Sequence, residues 1–224
     1  MVEQRGADCF DEPAGIVVEG VSKRLQGKVV LDRVSVVFPR GCISGIRGAN
    51  GSGKTMLLRA IAGLIALDEG SLSVLGKQLA DGDVFPDSMG FLIEPLKLWD
   101  DMSGFQNLKL LASMAGVADD GQIRATLARV GLDPCDRRWI RSYSLGMHQR
   151  LCIAQAIMER PSLILLDEPT NALDDDGKRL VRGILAEEKR RGATIVVVSH
   201  DADELKAISD YRFVMANGTI REDR

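Results

Sequence analysis

Four groups of residues in this chain have types and spacings suited to phosphate chemistry. The first is Gly48-Ala49-Asn50-Gly51-Ser52-Gly53-Lys54-Thr55, which fits the pattern Gly-x-x-x-x-Gly-Lys-Ser/Thr at every fixed position. Its glycines let the backbone turn so that successive N–H groups point into one concavity. A helix starting near Gly53, with Met56 in its first turn, adds its positive end to that cradle. Lys54 can reach the outer phosphates of a nucleotide, and the Thr55 hydroxyl is a hard oxygen ligand suited to Mg²⁺. The alternative, a glycine-rich strand-to-helix turn with no ligand, requires every fixed position to match by chance.

The second group ends an apolar run: Leu163-Ile164-Leu165-Leu166-Asp167-Glu168. A phosphate loop needs an acidic partner for the metal. Asp167, at the end of a buried strand, would sit beside Thr55 and hold Mg²⁺ directly or through water. Glu168 would orient or deprotonate an attacking water. The third group is Thr194–Val198 followed by Ser199-His200-Asp201. The strand delivers His200 to the edge where open α/β sheets bind ligands, within reach of a terminal phosphate. The fourth is Ser142-Tyr143-Ser144-Leu145-Gly146-Met147-His148-Gln149-Arg150-Leu151. Here a small polar turn opens a helix running to about Glu159. Its backbone N–H groups and the Ser144 hydroxyl can bind an anion; taken alone, the segment reads as a plain capped helix.

These groups need strands and helices to position them. The phosphate loop lies between an apolar stretch at Cys42–Ile46 and a helix-like one at Met56–Leu67, the strand–loop–helix context the motif requires. Upstream, residues 1–14 read as a loose leader, and Ile16–Val21 and Val29–Phe38 as strands joined by a turn at Gln26-Gly27-Lys28. Ser71–Leu75 reads as a further strand. From about Pro95 to Arg160 the period becomes helical (Leu108, Leu110, Leu111, Met114; Ile123, Leu127, Val130), with breaks expected at Gly116, Gly121 and Gly131. Then the α/β pattern returns. Leu163–Leu166 and Thr194–Val198 are continuous apolar runs, as in strands buried on both faces of a parallel sheet. Asp175–Arg191 between them reads as a helix with acids first and bases last. Phe213–Met215 and Thr219-Ile220 flank Asn217-Gly218 as a closing hairpin. The fold class expected is α/β: a RecA-like phosphate-loop NTPase core over residues 15–224, with an antiparallel β subdomain and a helical subdomain inserted at about 95–160.

The bulk numbers narrow the function. With 224 residues and 45% hydrophobic content, the chain can bury a sizeable core. Its net charge of −3 gives no hint of the basic face that nucleic-acid binders carry, so no nucleic-acid partner is expected. Cys9, Cys42, Cys135 and Cys152 form no paired metal or disulfide spacing and read as reduced thiols. Met1–Glu12 is polar and acidic, unlike a signal peptide. No apolar run approaches the roughly 18 residues of a membrane span, so any membrane role must come through a partner chain.

In order, the chain presents a phosphate loop, a helical insert, a Ser-x-Gly-x-x-Gln helix, a strand with Asp-Glu-Pro-Thr, Asn-x-Leu-Asp, and a strand with Ser-His-Asp. That order resembles the nucleotide-binding subunit of ATP-binding cassette (ABC) transporters, over nearly the whole chain from about Ile16 to Arg221. The resemblance implies an ATPase that takes ATP and Mg²⁺. Tyr143–Met147 would be the signature segment, Asn171–Asp174 the loop crossing a dimer interface, and His200 the switch histidine. Two subunits, expected to be copies of one chain, would pair head to tail. Ser144, Gly146 and Met147 of each would then face the nucleotide on the other's phosphate loop. The further partner implied is a polytopic membrane permease that holds the chain at the cytoplasmic face of the cell membrane.

Four positions depart from the family pattern. Leu145 and Met147 replace a glycine and a glutamine of the signature. Leu25 stands where an aromatic residue usually stacks on adenine. Glu94 stands where a glutamine usually meets Mg²⁺ and the attacking water; as a carboxylate it would still ligate the metal. The Glu94-Pro95 loop, Leu98-Trp99, Asn107-Leu108 and the Tyr-Ser-Leu-Gly-Met signature resemble the exporter branch that handles bacitracin and lantibiotics. An importer ATPase, or a soluble family member acting on ribosomes or DNA, is the competing expectation.

Overall fold

The computed structural model describes residues 14–79, 86, 88–93 and 97–223. The leader expected at residues 1–14 therefore lies, but for its last residue, outside the described residues. In chain order the strands are β1 (Ala14–Leu25), β2 (Lys28–Pro39), β3 (Ile43–Arg47), β4 (Glu69–Val74), β5 (Lys77–Gln78), β6 (Met89–Leu92), β7 (Leu163–Asp167), β8 (Thr194–Val198), β9 (Tyr211–Ala216) and β10 (Thr219–Glu222). The α-helices are α1 (Lys54–Ile61), α2 (Gly104–Ala115), α3 (Asp120–Arg129), α4 (Leu145–Ile157), α5 (Asp175–Arg190) and α6 (Ala202–Ile208).

The strands form two sheets. One has six strands in the order β10-β9-β3-β8-β7-β6, and the other has four in the order β2-β1-β4-β5. In the larger sheet β6, β7, β8, β3 and β9 run parallel, and β10 returns antiparallel to β9. The smaller sheet is antiparallel throughout.

The continuous apolar runs of β7 and β8 have a direct cause. Every residue of both strands is buried. Because side chains alternate across a strand, each strand feeds two cores. Leu163, Leu165, Val196 and Val198 pack with β1, β2 and α1, where Phe38 meets Phe213 edge to face at 5.1 Å. Ile164, Leu166, Ile195 and Val197 pack on the opposite face with residues of α2 to α6. The sheet is thus covered on both faces, as parallel sheets require.

Local signals set the helix ends. Ser103 caps α2 and Asp119 caps α3, each in a reciprocal box with a glutamine three residues on, Gln106 and Gln122. Gly116, at φ 69°, ends α2 in the left-handed region. Gly121 does not break the chain as expected. It lies in the first turn of α3, where the Asp119 cap offsets its poor helix propensity of about 1 kcal/mol. α1 also stops earlier than the apolar run to Leu67 suggests. Gly63 takes φ 71°, the Leu64 N–H reaches back to Arg59 O, and the Gly63 N–H to Ala60 O, a Schellman ending. Met114, which fits the helical period of α2, is 78% exposed while Leu108 and Ala112 face the core. Among the described residues no helix is long and apolar enough to cross a membrane.

Candidate active site

The phosphate loop joins β3 to α1. Gly53 stands just before α1 at φ 107°, backbone that side-chain-bearing residues rarely adopt. A Cβ there would also lie 2.6 Å from Val30 O. Both conformation and space therefore demand glycine. The loop is braced from outside. The Gly218 N–H donates to Ser52 O at 3.0 Å, and the Asp32 N–H to Gly218 O at 2.9 Å, so the β9–β10 turn is clipped between the loop and β2.

Lys54 is 6% exposed and lies back across the loop. Its Nζ donates to Gly48 O at 2.7 Å and Ala49 O at 3.0 Å. Thr55, next on α1, donates its hydroxyl to Asp167 Oδ2 at 2.5 Å. β7 lies one strand beyond β8 from β3, so Asp167 at its C-terminal end reaches the start of α1. A cavity of about 480 Å³ opens here, lined by Val30, Asn50, Gly51, Gly53, Lys54, Thr55, Met56, Asp167, Glu168 and Asn171. Within the loop, beside Gly48, the buried Ser52 Oγ has no hydrogen-bond partner among the described residues.

These groups suit a phosphate with a hard divalent cation. A hydroxyl and a carboxylate oxygen converge beside the lysine ammonium and the loop backbone. Among the described residues no group of three His, Cys, Asp or Glu side chains forms a metal cage.

Glu168 follows directly at φ 49°, a strained region for a residue other than glycine. Its backbone N–H donates to Val198 O at 2.9 Å, tying it to the end of β8. Its carboxylate oxygens meet His200: Oε2 lies 2.9 Å from Nδ1, and Oε1 accepts the His200 backbone N–H at 3.0 Å. Ser199 Oγ donates to the same carboxylate at 3.3 Å. Behind His200, Asp201 caps α6 by accepting from the N–H groups of Asp203 and Glu204. The Glu204 N–H, with help from Lys178, holds the Asp201 carboxyl below the usual carboxylate range. α6 is itself fixed by paired hydrogen bonds from Arg182 of α5 to Glu204, which is 3% exposed.

The structure thus brings Lys54, Thr55, Asp167 and Glu168 together on one cavity beside the loop formed by Gly48, Ala49, Asn50, Gly51, Ser52 and Gly53, with Met56 at the cavity wall. His200 does not line that cavity and joins the group through Glu168. Ser144, Gly146 and Met147 do not line that cavity. Ser144 Oγ caps α4 by accepting the Met147 N–H at 3.2 Å, and Gly146 sits against Ala172 and Leu173. Leu145 beside them is 74% exposed. Glu94 falls outside the described residues. Leu25 ends β1 beside the Gln26-Gly27 turn, 40% exposed. Sequence reasoning missed α6, Val30 as a wall of the cavity, and the contacts of Gln149. Gln149 stood in the Ser-x-Gly-x-x-Gln helix without an assigned role, and nothing in its spacing showed which backbone it would meet.

Residues 31–171 match the family described as ABC transporter. An uncharacterized ABC transporter ATP-binding protein, YybJ of Bacillus subtilis (strain 168), is 44% identical over 205 residues, 92% of this chain and 94% of that one. The lantibiotic transport ATP-binding protein SrtF of Streptococcus pyogenes is 32% identical over 203 residues, 91% of this chain and 87% of its own. The spermidine/putrescine import ATP-binding protein PotA of Bacteroides fragilis (strain YCH46) is 33% identical over 211 residues, 92% of this chain but 46% of its own. Among solved structures, the dimeric bacterial ABC transporter cassette MJ0796 superposes with a TM-score of 0.83 at 23% identity, covering 93% of this chain and 98% of that one, a likeness of fold. The loop, the paired acids and the sheet order that joins them therefore have a family: the chain belongs to the ABC transporters, as an ATP-binding, ATP-hydrolysing subunit.

Proposed function

We propose that the chain hydrolyses ATP with Mg²⁺ to power export through a separate polytopic membrane permease, working as a pair of identical subunits at the cytoplasmic face of the membrane. The observation that carries the site reading is the convergence of Lys54, the Thr55–Asp167 pair and Glu168 on one cavity, with His200 hydrogen-bonded to Glu168 behind it. Lys54 and the loop N–H groups hold the β- and γ-phosphates. Thr55, Asp167 and Glu94 would hold Mg²⁺, which would neutralise phosphate charge when bound. Glu168 accepts a proton from the attacking water as its oxygen bonds to the γ-phosphorus and the bond to the bridging oxygen of ADP breaks. His200 keeps the Glu168 carboxylate in place and offers its other ring nitrogen to the γ-phosphate.

Ser144, Gly146 and Met147 open a helix away from their own cavity, next to an exposed Leu145. That placement supports their completing the site of a second copy, with ATP between the two. The export direction, and an antibiotic peptide or similar cargo, rest on the similarity to the lantibiotic transport protein. Import is the second reading. It is favoured by comparable identity to the spermidine/putrescine import protein, of which the chain spans less than half. Pull-down of tagged Glu168→Gln protein with ATP from detergent-solubilised source cells tests both. Recovery of a polytopic permease supports the transporter reading, and inside-out vesicles holding that complex then report the direction of cargo movement. Recovery of ribosomal or DNA-repair proteins without a membrane protein would overturn it.

A further inference from the structure

Glu168 is the residue whose carboxylate must be aimed most carefully, and its backbone sits in an unfavourable conformation. A left-handed φ of 49° is unfavourable for a residue that carries a Cβ, so something must hold it there. Its N–H is tied to Val198 O at 2.9 Å, and its carbonyl closes a turn by accepting the Asn171 N–H at 3.2 Å. One side chain from a distant element adds to these ties. Gln149, on α4, donates its carboxamide N–H groups to Glu168 O and Pro169 O, both at 3.1 Å.

We propose that Gln149 is a positioning residue for the hydrolytic step: its carboxamide clamps the Glu168-Pro169 turn and so holds the Glu168 carboxylate toward His200 and the cavity. The geometry gives the reason. The two N–H groups of one amide engage two successive carbonyls, which fixes the orientation of the peptide plane between them. The φ of Glu168 sets where its Cα–Cβ bond points. If the turn relaxes to negative φ, the carboxylate swings away from His200 Nδ1, now 2.9 Å distant. Gln149 itself lies outside the cavity lining and touches no phosphate-binding group. The inference rests on the proposed role of Glu168 and adds to it the device that aims this carboxylate.

The experiment compares Gln149→Met and Gln149→Lys in otherwise unaltered full-length protein and in a Glu168→Gln background. Methionine keeps length and helix propensity but has no donor; lysine keeps reach and donates to carbonyls. Thermal melts check that each variant folds. Gln149→Met should lower kcat about tenfold, the scale of one or two lost hydrogen bonds acting on the hydrolytic step. KM and the affinity for a fluorescent ATP analogue should stay within about twofold, because nucleotide binding lies elsewhere. Gln149→Lys should recover most of the lost rate. In the Glu168→Gln background Gln149→Met should add little further loss, since both changes act through one carboxylate.

An unaltered kcat in Gln149→Met overturns the inference. So does a loss that lysine fails to recover, or an equal loss in both backgrounds, the mark of a merely structural contact. These failures leave the proposed role of Glu168 standing. If Glu168→Gln alone turns over like the natural chain, the role of Glu168 fails and the inference with it.

Discussion

At the scale of single residues the site divides by what each group holds. Lys54 faces carbonyls it would exchange for phosphate oxygens, so Lys54→Ala should abolish tight ATP binding; equilibrium titration with a fluorescent ATP analogue checks this. Glu168 lies on the water side of the same cavity. Glu168→Gln should therefore keep that binding while slowing phosphate release about 10²–10⁴-fold, the range for a positioned general base. Binding lost together with turnover would move Glu168 out of this role. The five residues of this group were legible in the sequence because each belongs to a spaced motif with a chemical reason: a loop glycine that must turn, a lysine that must reach, a carboxylate at a strand end. Gln149 and Val30 were not legible. Their contribution depends on which backbone lies opposite, and that is decided by packing between elements far apart in the chain.

At the scale of elements, His200 stands between the end of β8 and a short helix, α6, that was not anticipated. α6 has one turn of capping and little intrinsic stability, and it stays in place through Arg182 and the Asp201 cap. Arg182→Met would leave Glu204, 3% exposed, as an unpaired buried charge. Urea denaturation should show a loss of about 1.5–3 kcal/mol, the scale of hydrogen bonds to a charged group, because Arg182 itself is 40% exposed. A change below the measurement error would mean that Glu204 finds another partner.

Asp201 makes a pH prediction. Its carboxyl is held below the ordinary value of 3.8, mainly by the Glu204 N–H, so the ionised form is favoured in the folded state. Its contribution to stability is complete above the unfolded value and is lost as pH falls through the lower folded value. Denaturation midpoints of the natural chain and Asp201→Asn should thus differ most at neutral pH and converge below about pH 4. A constant gap across that range would contradict the assignment. The elements that were legible, β7, β8 and α5, are those with strong periodicity or an unbroken apolar run. The ends of α1 and α3 were not, because a Schellman turn at Gly63 and a cap at Asp119 outweighed the apolar pattern and the glycine propensity.

At the scale of the whole molecule, the class of fold was legible but the strand order was not. Two buried runs announce a covered parallel sheet. Which strand lies beside β3 depends on crossovers, and no local pattern encodes it. The same scale gives the account its central claim: one chain holds the loop, the acids and His200, and a second copy supplies Ser144 and Gly146. Light scattering of the Glu168→Gln protein at saturating ATP with Mg²⁺ tests that claim most directly. The account predicts a mass rising from 24.4 kDa to twice that value with ATP, and remaining at 24.4 kDa with ADP. A protein that binds ATP to saturation and stays at the monomer mass would contradict it.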